Sequence, residues 1–187
     1  KDIKESLRRR QPEPPFITST LQQEAYNRLG FSVSKTMRIA QQLYEGIELG
    51  IKGPVGLITY MRTDSFQIAK ESQEALRLYI LRYYGEKYLI QPPRIFKQTK
   101  YSQSAHEAIR PTSIERTPES IKDFLSVEQY KLYELIYNRF LASQMAPMQY
   151  KVITVYIQAG KFLFLASGST LLFDGFSVVY GRNENSK

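Results

Sequence analysis

The apolar residues of this chain change period once, at Pro147, and that change limits the possible folds more than any other feature of the sequence. Before it, hydrophobic side chains recur at helical spacing. After it they alternate, through "YKVITVYIQAG", "KFLFLASG" and "FSVVYG". Period two with these turn residues predicts antiparallel strands, joined at Ala159-Gly160 and near Ser167-Gly168. A strand group this short can hardly close a sheet around a core of its own, so it is expected to belong to a larger element. The expected fold is α+β and mainly α. Residues 16–145 form a helical, helix-turn-helix-like domain, and residues 146–187 form a partial antiparallel β segment. Residues 1–15, "KDIKESLRRRQPEPP", are polar and end in prolines, and read as a linker or a stub of the β segment's domain.

Within the helical part the boundaries are marked by caps. Ser19 with Gln22 makes a capping-box pattern ahead of Leu21, Ala25 and Leu29, with Gly30 as the stop. A second helix is predicted from Lys35 to about Glu45, with Ile39, Ala40 and Leu43 on one face. Two short helices joined by a tight turn resemble a helix-turn-helix unit, which is also ordinary helix packing. "EGIELGIKGP" reads as a glycine-rich loop, Leu57–Tyr60 as a short buried strand, and Asp64 with Gln67 as the cap of a third helix ending at Gly85. From Leu89 to Arg116 the pattern lapses, in a loop long enough to suggest function. Thr117-Pro118 starts a short helix ending near Leu125. Ser126 with Gln129 caps a final one that turns Tyr130, Tyr133, Ile136, Tyr137 and Phe140 inward. "FDGF" at 173–176 is a tight turn by composition.

Composition narrows the chemistry. With no cysteine and one histidine, His106, the 187-residue chain has no disulfide, no thiolate metal site and no multi-histidine site. Its aspartates, Asp2, Asp64, Asp123 and Asp174, are scattered, without the D-x-D pair that suits a hard divalent cation. No run approaches the roughly 18–20 apolar residues that span a bilayer, and the start has no apolar signal segment, so a soluble, cytoplasmic protein is expected. Lys and Arg exceed Asp and Glu by 26 to 18, for a net charge of +8 and a pI of about 9.5. That balance favours polyanionic partners. Exposed members of the 14 tyrosines and 10 phenylalanines can stack on unpaired bases, although most are expected in the core.

Two constellations carry possible chemistry. The first is "GLITYMRTDS", Gly56–Ser65. Tyr60 ends an apolar run just ahead of a predicted helix start, whose free N–H groups attract a phosphate oxygen. Arg62 can fork onto the same phosphate, and Thr63, Asp64 and Ser65 add capping groups. A phenol, with a pKa of about 10, needs a cation or base before it attacks a phosphodiester. Exchanging one ester for another is close to reversible and needs no nucleotide fuel, which suits breaking and resealing a strand. Spacing alone favours a core tyrosine followed by an ordinary cap. The second constellation is "QSAHEAIRPT", Gln103–Thr112. On a helical turn His106 and Arg110 share a face and can steady a phosphate or shuttle a proton, with Lys97 and Lys100 just before them. A structural histidine is the alternative.

These stretches resemble the bacterial type IA DNA topoisomerases. "PFITSTLQQEAYNRLGFSVSKTMRIAQQLYEG" looks like the family's helical segment ahead of the active tyrosine, "GLITYMRTDS" like the active-site motif, and "SQSAHEAIRPT" like its downstream companion. "QMAPMQY", the strands and "FDGF" resemble the return into the arch domain, so the likeness covers nearly all of residues 16–180. It implies a central fragment that cleaves and religates single-stranded or underwound DNA without ATP, relaxing negative supercoils. Tyr60 would form the 5′-phosphotyrosine, Arg62 would hold the scissile phosphate, and His106 would assist phosphate or proton handling. Asp64, Glu107 and Arg110 would contact DNA or shape the same wall. The family's Toprim domain, with its acidic cluster and Mg²⁺, has no counterpart in this sequence. The fragment alone is therefore expected to be inactive and to bind no metal itself. "IELGIKGPV" is longer than the shortest family versions and suggests a longer surface hairpin. A non-catalytic helix-turn-helix DNA-binding module is the rival reading. A tyrosine recombinase would need more histidines and arginines near the nucleophile. An exposed β edge would allow dimers.

Overall fold

The computed structural model describes residues 2–50, 53–96 and 106–181. Four α-helices and an antiparallel sheet account for most of the fold. Helix α1 (Thr18–Leu29) ends at Gly30, whose φ of 67° permits a left-handed cap closed by Gly30 N–H to Tyr26 O and Phe31 N–H to Ala25 O. Its start is Ile17, not Ser19. The Thr20 hydroxyl bonds both the N–H and the carbonyl of Ile17 at 3.0 and 3.2 Å. A three-residue turn leads to α2 (Val33–Glu45), capped by Ser32 onto Lys35 N–H, so the expected helix–turn–helix pair is present. The final helix, α4 (Val127–Ser143), has the Ser126–Gln129 capping box.

These helices close on one core, in which Leu21, Ala25, Ile39, Leu43, Leu57, Ile58, Leu76, Ile80, Tyr133, Ile136 and Phe140 are buried. Each fully buried leucine or isoleucine there contributes about 1.5–3 kcal/mol. The inward tyrosines are anchored at their polar ends: Tyr133 and Tyr137 donate to the carbonyls of Arg116 and Ile114, both at 2.7 Å. Burial pushes both phenols well above the usual tyrosine range.

Several sequence expectations give way to the structure. Of the two readings of residues 1–15, a linker or a stub of the β segment's domain, residues 2–10 do not follow the first. They form β1 (Asp2–Arg10), paired antiparallel along its length with β4 (Met148–Ala159). The glycine-rich loop holds a small hairpin of β2 (Ile47–Glu48) and β3 (Pro54–Val55). Leu57–Tyr60 is extended and its apolar half is buried, but it makes only an isolated bridge, Ile58 to Pro111. Asp64 caps nothing. Ser/Thr turns run instead from Thr63 Oγ1 to Ser65 N–H and from Ser65 Oγ to Gln67 N–H, competing with helix, and α3 (Lys70–Tyr83) starts six residues later. The helix predicted after Thr117-Pro118 is a 3-10 turn, Glu119–Phe124. No turn interrupts Ser167-Gly168: β5 (Phe162–Phe173) runs straight through it, paired with β4. "FSVVYG" is not a strand, and Gly175–Tyr180 is a 3-10 turn packed against α4. The large sheet has the order β1-β4-β5. Apolar side chains on both faces of β5, Phe162 to Leu165, stand exposed. Lys97, Lys100 and the first three residues of the second constellation, Gln103 to Ala105, lie outside the described residues, as do Ile51 and Lys52 in the hairpin.

Candidate active site

Three irregular stretches, residues 16–18, 57–65 and 106–112, meet beside α1. Buried peptide groups without helix or sheet partners must find others, and here they pair with one another. Thr59 N–H donates to Arg110 O at 2.9 Å, and Thr112 N–H to Leu57 O at 2.9 Å. The Thr59 hydroxyl donates to Ala108 O at 2.7 Å and accepts from Arg110 N–H at 3.0 Å. Ile109 N–H donates to Phe16 O at 2.8 Å, and Leu57 N–H to Leu43 O, at the end of α2, at 2.7 Å. The tyrosine stretch is thus laced to the histidine stretch on one side and to α2 on the other.

Along this stretch Leu57, Ile58 and Met61 are buried, while Tyr60 is 45% exposed. The Tyr60 ring rests edge-on against Tyr44, with centroids 5.3 Å apart. Sequence reasoning did not single out Tyr44, which lies on the outward face of α2. Arg62 is exposed between buried Met61 and buried Thr63. It opens into a cavity of about 540 Å³ lined by Ile17, Thr18, Ser19, Gln22, Arg62, Thr63, Asp64 and His106. The helix N-terminus at this cavity belongs to α1, not to the helix after the tyrosine. No acidic residue stands in its first turn, so its partial positive end is not offset from within the helix. The capping-type run Thr18-Ser19-Thr20 was the available signal for it.

The structure separates two residues that were expected together. His106 is half-buried on the Arg62 cavity wall. Arg110 is not on a helical turn with it and points elsewhere. Its guanidinium is buried, with Nε and Nη2 each 2.7 Å from Glu107 Oε2 and Nη1 3.0 Å from Pro111 O. It lines a different cavity, of about 480 Å³, against α3 residues including Glu71, Tyr79 and Arg82. Glu107 also accepts the N–H of Ala69, the residue just before α3, at 3.4 Å. The reason is local: residues 106–112 form no helical turn, so the i, i+4 spacing that would set His106 and Arg110 side by side on a helix does not apply. Among the described residues no group of three or more His, Cys, Asp or Glu could hold a metal ion, and no helix is long and apolar enough to cross a membrane.

A family model for DNA topoisomerase matches residues 1–187. The chain belongs to the bacterial type IA DNA topoisomerase family. It is 47% identical over its whole length to DNA topoisomerase 1 of Xylella fastidiosa strain Temecula1, covering 23% of that protein. It is 50% identical over 95% of its length to DNA topoisomerase 1 of Rickettsia felis, covering 23% of it, and 48% identical to that of Campylobacter jejuni, covering 27%. Full-length topoisomerase I from Thermotoga maritima superposes over the whole chain with a TM-score of 0.85 at 45% identity, and the chain covers 30% of it. The chain thus spans about a quarter of the length of these curated relatives. Its helical region and antiparallel β segment follow the topoisomerase architecture.

Proposed function

We propose that this chain supplies the nucleophile of a type IA topoisomerase, cutting and resealing one strand of underwound DNA through Tyr60 and so relaxing negative supercoils without ATP. The observation that carries the reading is the setting of Tyr60. It is an exposed phenol on a hydrogen-bonded segment whose Leu57, Ile58 and Met61 are buried, two residues from an arginine that shares a cavity with His106 and the N-terminus of α1. In the forward step Tyr60 Oη bonds to phosphorus and the P–O3′ bond breaks. The phenol loses its proton and the departing 3′ oxygen gains one, so no net proton is consumed and religation reverses each change. Arg62 forks onto the scissile phosphate and offsets charge developing on its oxygens. The first turn of α1, through Thr18 and Ser19, lines the same space and brings the positive end of the helix to it. His106, on the wall beside Arg62, assists phosphate or proton handling, and Asp64 orients groups at the cavity mouth. Glu107 and Arg110 act behind this surface, holding the histidine stretch against α3 and the Thr59 backbone.

Among the described residues the carboxylates form no group that could hold a divalent cation. Asp64 stands alone at the cavity, and Glu107 is committed to Arg110 and Ala69. By the family resemblance Mg²⁺ belongs to the Toprim domain, and no step above runs through it. The test is a single-stranded oligonucleotide labelled at its 3′ end, incubated with this chain and Mg²⁺, with and without a Toprim-bearing polypeptide supplied separately. A denaturant-resistant adduct is expected only in the two-polypeptide mixture, and Tyr60→Phe abolishes it. An assembled, DNA-bound mixture that forms no adduct would leave a helix-turn-helix DNA-binding module as the better account.

A further inference from the structure

One residue at the start of α1 holds the backbone on both sides of Arg62. The Thr18 hydroxyl donates toward Met61 O at 2.8 Å and Thr63 O at 3.0 Å, and accepts from Thr63 N–H at 2.9 Å. The Thr18 N–H also donates to Thr63 O at 3.0 Å. The peptide groups before and after Arg62 are therefore both fastened to one side chain more than forty residues earlier in the chain. Met61 and Thr63 are buried, while the arginine between them is exposed. Thr18 lines the same cavity as Arg62 and His106. A two-point clamp of this kind fixes where the guanidinium starts from and how it faces the first turn of α1. No other residue among those described bonds to both flanks of Arg62.

We infer that Thr18 is a positioning residue for Arg62, setting the guanidinium where the scissile phosphate lies rather than contacting the DNA itself. The inference rests on the cleavage role proposed above. The physical argument is preorganisation: a charged group held before substrate arrives needs no reordering at the moment of reaction, and small misplacements of such groups cost of order 10²-fold in rate. A flexible arginine still attracts DNA, so affinity is maintained while the chemical step slows.

The experiment is single-turnover adduct formation at saturating oligonucleotide, in the same two-polypeptide mixture, with oligonucleotide affinity measured by fluorescence anisotropy. Thr18→Val keeps the shape and removes the hydroxyl. It is expected to slow adduct formation by about 10–100-fold while leaving affinity within about twofold, the scale of an effect too small to count as lost binding. Thr18→Ser restores the rate. Thr36→Val is the matched control: Thr36 is buried in α2 and its hydroxyl donates to Ser32 O at 2.9 Å, away from the cavity. It leaves the rate unchanged. In an Arg62→Ala background the Thr18→Val effect disappears, because the two residues act through one group. If T18V does not fold, Thr18→Ala removes the same hydroxyl and carries the same comparison. A Thr18→Val rate equal to that of Thr36→Val overturns the inference, as does a loss that persists in full without Arg62. Adduct surviving in Tyr60→Phe would instead overturn the cleavage role itself.

Discussion

The Glu107–Arg110 pair can be removed one partner at a time, and its geometry sets the expected cost. Arg110 is 9% exposed and Glu107 33% exposed, and one carboxylate oxygen receives both Nε and Nη2. Glu107→Ala leaves the guanidinium with only its 3.0 Å bond to Pro111 O. Removing one member of a fully buried pair costs about 3–5 kcal/mol. Water reaches the Glu107 side, which puts this pair near or below the low end of that range. The same oxygen faces the start of α3, which has no side-chain cap of its own, and a carboxylate at a helix N-terminus adds about 0.3–1 kcal/mol. Together these give about 3 kcal/mol. For a chain of this size each kcal/mol lowers Tm by about 2–4 °C, so Glu107→Ala should lower it by roughly 6–12 °C. Glu107→Gln keeps an acceptor and should cost about half as much. Arg110→Met should cost less than Glu107→Ala, and the double variant should exceed Arg110→Met only by the helix-terminus contribution of about 0.3–1 kcal/mol, a coupling of about 2–3 kcal/mol. Thermal unfolding followed by circular dichroism measures all four proteins. A Glu107→Ala shift under about 2 °C, or simple additivity in the double variant, would refute the reasoning.

Gly56 enters the tyrosine stretch with its Cα against α2, and a Cβ there would stand 2.8 Å from Tyr44 O. Gly56→Ala should therefore destabilise the fold by about 1–3 kcal/mol through overpacking, read as a lower midpoint in urea. At high pH the tyrosines act together. Burial and the nearby Glu134 and Glu119 push the Tyr130 phenol up to about 12 from 10.0, and burial also raises Tyr84, Tyr88, Tyr133 and Tyr137. Because the native state holds these protons more tightly than the unfolded chain, their stabilisation is intact below about pH 10 and is lost as pH rises above it. Tyr130→Phe should flatten that decline in denaturation experiments between about pH 10 and 12, and an unchanged slope would contradict it.

The helices were legible because their signals are local. Ser126 with Gln129, Gly30 after Leu29, and the Ile39–Leu43 face each act within one or two turns, and each stands where it was expected. The strand β1 was not, since "DIKESLRRR" carries no alternation and pairs with β4 from across the whole helical region. The Ser167-Gly168 turn failed for the opposite reason. Its composition suits a turn, but pairing with β4 on both sides holds it extended. At the site, the Tyr60–Arg62 and His106 stretches were readable as motifs, and the fold brings Arg62 and His106 to one cavity. The helix N-terminus there could not be assigned, because α1 reaches it through the long-range bonds of Thr18. Arg110 was misplaced because a helical spacing was assumed for residues that form no helical turn.

The most direct test of the central claim is to find where the nucleotide is attached. Adduct from the two-polypeptide reaction, trimmed with nuclease and digested with trypsin, should carry its nucleotide mass on the peptide spanning residues 53–62, in which Tyr60 is the one tyrosine. The neighbouring peptide, residues 39–52, contains Tyr44, whose ring touches that of Tyr60. Modification confined to the Tyr60 peptide is the result this account predicts. Nucleotide on Tyr44, or on a tyrosine anywhere else in the chain, would contradict it.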